Sequence, residues 1–283
     1  MAIPGFEIRP DRAGTFRDRE TLSAMPGNYR HRGPHPADEA LFAPDQWADL
    51  RFAVADLSWL FSHGYAERSA LKLVGDRYQL TTRQRVAVRR CACSDEALAK
   101  RGRHEVPASG LRGQALWLDG FNVLTTVEAA EAGGVLLRGR DGSLRDMASM
   151  HGTYRKVQET VPALDRIDRT LEELGVRAAI WFLDRPVSNS GRLKSLIEHL
   201  ATERQRPWEV RLVPDPDRDL VGTDRIVATA DSVILDQCER WCALARLVVA
   251  RACPRARVVD LGDPDTSPRG GSGGTDEQEP CPP

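Results

Sequence analysis

No stretch of this 283-residue sequence approaches the ~20 consecutive apolar residues of a membrane helix, so no membrane-spanning role is expected. The opening MAIPGFEIRP has no apolar core of the kind a signal peptide needs. A cytoplasmic protein with reduced thiols is the expectation. The six cysteines include no CxxC pair, which argues against a zinc ribbon. Cys238 and Cys242 stand four apart and can share a helix face, but two thiols are half of a structural zinc site. Net charge is nearly absent as well, with 40 Lys and Arg against 41 Asp and Glu. Nothing therefore draws the whole molecule to nucleic acid or to an anionic surface, and any such attraction must be local. Gly133, Gly134 and Gly139 do not follow the spacing of a phosphate loop.

What is present divides the chain. Residues 1–43 are rich in Arg, Gly, Pro and His and predict a disordered arm. Residues 264–283 predict a disordered tail on the same grounds. Residues 44–105 read as a small all-α domain. Asp45 can cap a helix carrying Trp47, Leu50, Val54, Leu57 and Leu60, which ends at Gly64. A second helix, Glu67 to Val74, closes at Gly75, and Thr81 or Thr82 can cap a third. Tight turns between three short helices suggest a helix-turn-helix arrangement. Between Asp49 and Arg90 basic residues exceed acidic ones, which fits either a nucleic-acid surface or a solvated bundle.

Residues 106–113 form a Gly-bearing linker. Beyond it, short apolar runs at 115–118, 177–183, 210–213, 226–228 and 258–261 alternate with helical stretches. That alternation predicts a mainly parallel sheet flanked by helices over residues 114–263, with 135–138 as an extra strand. The change of periodicity and the linker predict that this second half folds without the first.

Three of the apolar runs lead into aspartate: ALWLD to Asp119, AIWFLD to Asp184 and IVATAD to Asp231. Taken singly, Asp119 and Asp231 can cap a following helix, and Asp184 can open a turn. Together, on parallel strands, they reach one sheet edge, where α/β folds bind ligands. Clustered hard oxygen ligands suit Mg²⁺ or Mn²⁺.

LDGFNVLTTVEAA, FLDRPVSNSGRL and VATADSVILD resemble strand-to-loop segments of PIN-like and NYN-like domains. DLSWLFSHGYAERSALKLVGDRYQLTTRQR resembles a helical domain of unknown function, DUF434-like, that precedes such a domain. The resemblance covers about Asp49 to Leu261. It implies a divalent-metal-dependent nuclease that hydrolyses phosphodiester bonds, with RNA as substrate. The alternative is a non-catalytic PIN-like module that binds nucleic acid or protein. By position it implies catalytic roles for Asp119, Asp184, Asp231 and Asn122, the three aspartates as metal ligands, and Asp236 as either a fourth ligand or only a helix residue. PIN nucleases also carry a mid-domain acid, for which Glu159, Asp165, Asp168 and Glu172 are candidates. Asp217, Asp219 and Asp224 lie in a loop that reads equally as a solvated turn. For substrate binding, His151 can carry a proton, Tyr154 can stack on a base, and Arg155 with Lys156 can hold phosphate; the alternative is a helix N-terminal region with one aromatic packed inward. Ser188 and Asn189 can open a phosphate-cradling turn or simply cap a helix.

Overall fold

The computed structural model describes residues 33–147 and 154–262. His151 lies outside the described residues, as do the tail and most of the N-terminal arm.

The all-α part begins earlier than the composition implies. A single turn, α1 (Asp38–Leu41), precedes α2 (Trp47–Ser62), α3 (Glu67–Arg77), α4 (Thr82–Cys91) and α5 (Asp95–His104). Phe42 is fully buried and the buried Asp38 carboxylate pairs with Arg83, so residues 38–43 belong to the folded body rather than to a loose arm. Asp45 sits inside a 3-10 turn and Gln46 holds the N-cap position of α2. Gly64 ends that helix region with φ 76°, a conformation glycine adopts without strain. Thr81 caps α4 through a reciprocal box with Gln84. Gly75 does not stop α3. A Cβ there would lie 2.2 Å from the Arg85 guanidinium, which packs over the glycine.

The second half runs β1 (Ala115–Asp119), α6 (Gly120–Glu131), β2 (Val135–Arg138), β3 (Leu144–Asp146), α7 (Thr160–Glu173), β4 (Ala178–Asp184), α8 (Ser190–Glu203) and β5 (Trp208–Val213). It continues with α9 (Pro216–Val221), β6 (Ile226–Ala228), α10 (Ser232–Leu235), β7 (Trp241–Cys242), α11 (Leu244–Ala252) and β8 (Arg257–Asp260). The main sheet has the order β5-β4-β1-β6-β7, and all its pairings are parallel. The fold is therefore α/β with a mostly parallel sheet. The run at 258–261 does not join it. As β8 it pairs with β2 in a second, three-stranded sheet that β3 completes.

The two faces of the main sheet are unlike. Leu116, Leu118, Trp181, Leu183 and Val210 point to one face and form a large core with residues of α6, α7, α8 and α11. Trp117, Ile180, Phe182 and Val227 point to the other, where the short helices α9 and α10 supply Leu220, Ile234 and Leu235. Asp119 and Asp184 follow the strand alternation onto this thinly covered face.

The halves share a core. Val135, Leu137, Met147, Val259 and Leu261 pack in one cluster with Leu50, Val54, Leu57, Val88 and Cys91 of the helical part. The expectation that the second half is independent is thus at odds with the packing. Sequence periodicity shows that β2 and β8 have an apolar face, but not that the helices supply its cover. No helix among the described residues is long and apolar enough to cross a membrane.

Candidate functional site

The site lies where β1, β4 and β6 end. Asp119 is the last residue of β1 and stands at the N-cap position of α6, yet its side chain does not cap the helix. Its Oδ2 instead accepts a 2.8 Å hydrogen bond from the Thr229 hydroxyl. The same hydroxyl accepts from the Asp231 backbone N–H at 3.0 Å, and Asn122 Oδ1 accepts from the Ala230 N–H at 2.9 Å. Thr229 and Asn122 therefore tie the end of β6 to the strand–helix junction after β1. Gly120 makes that junction possible, because a Cβ there would lie 2.8 Å from the Phe182 carbonyl oxygen and 2.6 Å from Leu183 Cδ2. The spacing Asp-Gly-x-Asn thus has a packing reason at its glycine and a hydrogen-bonding reason at its asparagine.

Asp231 does cap a helix. One carboxylate oxygen accepts from the Val233 and Ile234 N–H groups at 2.7 and 3.4 Å, which holds the side chain in place at the start of α10. The individual reading of Asp231 as a helix cap is met.

Electrostatics define the cluster. Burial raises the Asp119 carboxyl to about 7, and the charges of Asp231 and Asp217 push the same way against the Thr229 hydrogen bond. Asp217 is raised by burial and by Asp231, Asp215 and Asp184. Asp184 is raised by burial and by Asp215. Asp217 and Asp215 replace the helix acids as additional members of the edge. Asp165 and Asp168 pair with Arg204, and Glu172 pairs with Arg206. The signal for Asp217 lay in PDPD: Pro216 occupies the first position of α9, and that helix turns the loop back over the sheet.

Asp236 is not part of this edge. Its carboxylate pairs with Arg101 of α5, an acidic group drawn to a cation on the helical part. Tyr154 is 1 % exposed, donates to Glu128 Oε1 at 2.5 Å and packs on Phe121, so it is a core residue and cannot stack on a base. Arg155 is exposed. The Ser188 carbonyl accepts from the Tyr154 N–H. Asn189 has φ 70° and donates from Nδ2 to the Tyr154 carbonyl rather than capping α8.

Among the described residues, no three His, Cys, Asp or Glu side chains converge tightly enough to hold an ion as they stand. The donors nevertheless suit a hard divalent cation in kind, being carboxylate oxygens, and Mg²⁺ commonly takes one or two carboxylates and keeps its waters.

Two family descriptions match the chain. Residues 49–104 match Protein of unknown function (DUF434), and residues 108–247 match Domain of unknown function (DUF5616). An uncharacterized protein of Methanocaldococcus jannaschii is 30% identical over 183 residues, which is 65% of this chain and 87% of that protein. The chain belongs to this two-part family. No solved structure matches it significantly. Within the family pattern, the border between the two matched regions falls at residues 105–107. There Val106 N–H donates to the Trp241 carbonyl, so the border is stitched to the main sheet.

The displaced pKa of Asp119 has a measurable consequence. Its folded value lies above the ordinary 3.8, so the native state binds this proton more tightly than the unfolded chain. Stability is then favoured at low pH and is lost as pH rises from about 4 to about 7. Asp119→Asn is expected to melt above wild type at pH 8 without divalent ions, by at most about 4 kcal/mol at 1.36 kcal/mol per unit. The difference should vanish toward pH 4. Thermal melts of both proteins across this range check it, and a constant difference would contradict the assigned titration.

Proposed function

We propose that the acidic edge is the centre of a divalent-metal-dependent nuclease acting on RNA. One observation carries the reading. Among the described residues, no Arg or Lys pairs with the carboxylates of Asp119 and Asp184 at strand ends, Asp231 just past β6 or Asp217 on α9, whereas Asp38, Asp141 and Asp168 are each held by arginine. A self-repelling group left without a protein cation is suited to an external one. Mg²⁺ or Mn²⁺ held by Asp119, with Asp184, Asp217 or Asp231, would supply an activated water and charge stabilisation at a phosphoryl oxygen.

The side chains have separable roles in this reading. Asp119 is set by Thr229 and held beside Asn122, so its carboxylate is aimed before any ligand arrives. Asp231 is locked through one oxygen and keeps the other for a ligand. Asp184 is half-buried and Asp217 is exposed, so both are within reach of solvent. The raised Asp119 carboxyl gives up its proton more readily once a cation is near, so activity is expected to rise through neutral pH. Asn122 stabilises the Ala230–Asp231 turn and acts as a positioning residue.

The test is cleavage of single-stranded RNA with Mn²⁺. Asp119→Asn keeps the shape and removes the anionic oxygen, and is expected to lower the rate at least ~100-fold, in the range seen when one electrostatic stabiliser is lost. Without divalent ions, thermal stability should be no lower than that of the wild type. Wild-type protein that cuts neither RNA nor DNA with either ion would favour the non-catalytic alternative.

A further inference from the structure

A recess lies at the opening of α8, between that helix and the segment Tyr154–Lys156. It encloses about 460 Å³, within the roughly 300–1,000 Å³ of small-ligand sites. Leu193 and Leu196 form an apolar floor, and Arg155, Lys156 and Arg192 stand at its rim with Asn189. All three cations are exposed, and among the described residues none has an ion-pair partner or a hydrogen bond from its side chain. Nearby cations on α7 and α8 differ: Arg166 pairs with Glu131 and Lys194 with Glu198.

The recess is built rather than incidental. Tyr154 N–H donates to the Ser188 carbonyl at 3.1 Å, and Asn189 Nδ2 donates to the Tyr154 carbonyl at 2.9 Å. These bonds clamp the segment carrying Arg155 and Lys156 against the opening of α8, which carries Arg192. Tyr154 itself is anchored in the core by Glu128 and Thr160. The clamp leads directly to the acidic edge, since the loop from Arg185 to Ser188 joins Asp184 to Asn189.

We infer that this recess binds one nucleotide of a single-stranded polynucleotide, with its phosphates between Arg155, Lys156 and Arg192 and its base against Leu193 and Leu196. The chemistry is specific to that ligand class. Unpaired guanidinium and ammonium groups match phosphate oxygens, and an apolar floor takes a base face that a bare phosphate does not have. A strand bound here and continuing across the β4–α8 loop reaches the acidic edge. The inference rests on the polynucleotide reading above and supplies the attraction that a net charge of -1 and an acidic centre do not.

The test is fluorescence anisotropy with a labelled single-stranded RNA 12-mer. It uses full-length protein in an Asp119→Asn background with Mg²⁺, so that the probe is not cut. Combined Arg155→Ala, Lys156→Ala and Arg192→Ala is expected to weaken binding at least tenfold. The salt slope should become shallower by about 2, at ~0.7 per lost contact on a single strand. Leu196→Asp is expected to weaken binding with little change in slope. Arg251→Ala, an exposed change on α11, should leave both unchanged. Triple-variant binding and slope equal to the background would overturn the inference, as would no binding by the background protein. Uridine monophosphate that competes as well as the 12-mer would overturn the polynucleotide assignment in favour of a free nucleotide. Cleavage by the wild type is read separately: tight pocket-dependent binding without cleavage would sink the nuclease reading and leave this one standing.

Discussion

A fragment beginning at Gln114 and ending at Gly262 is expected to show no cooperative thermal transition and to bind a hydrophobic dye. The reason is the shared core. Removing the helical part would strip cover from Val135, Leu137, Met147, Val259 and Leu261, each at most 6 % exposed in the whole chain. At roughly 1.5–3 kcal/mol per fully buried side chain, that is about 7–15 kcal/mol, as large as the whole stability of a typical domain. Polar ties would go too. The buried Trp241 indole N–H donates to the Arg101 carbonyl, and Arg51 donates to the Asp260 carbonyl. A fragment that melts in one sharp transition near the full-length temperature would show that the β2–β8 sheet can recover this burial by itself.

Asp141→Ala is expected to destabilise the full chain by about 3–5 kcal/mol, the range for leaving a buried charge without its partner. Asp141 is 1 % exposed at its side chain and contacts Arg145 and Arg101, themselves 9 % and 3 % exposed. Its carboxylate accepts from both guanidinium groups and from Ser143. Burial alone would raise the acid, but the charge and hydrogen bonds of Arg145, with Ser143 and Arg101, outweigh it and hold the carboxyl far below its ordinary value. The sign follows: this contribution is present above the unfolded value near 4 and is lost as pH falls well below it. The variant should therefore lose most stability at neutral pH and approach wild type in strong acid. Urea melts at pH 7 and at low pH check both parts. A loss under 1 kcal/mol at pH 7 would mean that the two arginines find water or other acceptors.

The same group of charges links the helical part to the candidate site. Arg145 Nε donates to the Ala230 carbonyl at 2.9 Å, one residue before Asp231. Arg101 holds Asp236, at the far end of α10. The turn that carries Asp231 is thus gripped from both sides through Asp141. In this arrangement the helices position the acidic edge as well as complete the core.

Local chemistry made much of this protein legible without coordinates. The capping box at Thr81, the apolar runs of β1, β4 and β6, and the aspartates that end or follow them depend on neighbours close in sequence, so pattern alone locates them. Strand parity also placed Asp119 and Asp184 on one face once the sheet was known to be parallel. The rest required contacts between distant segments. Asp217 joins the edge because α9 folds over the sheet, whereas Asp236 leaves it because Arg101, 135 residues away, offers a stronger partner. Tyr154 is hidden because Glu128 on α6 accepts its hydroxyl. The run at 258–261 reads as one more strand of the main sheet, but as β8 it pairs with β2 instead and seals that surface against the helices. Hydrophobic periodicity records that a face must be covered, and a carboxylate that it must be solvated or paired. Which surface covers the one, and which cation meets the other, is decided by long-range packing, and only the tertiary structure contains it.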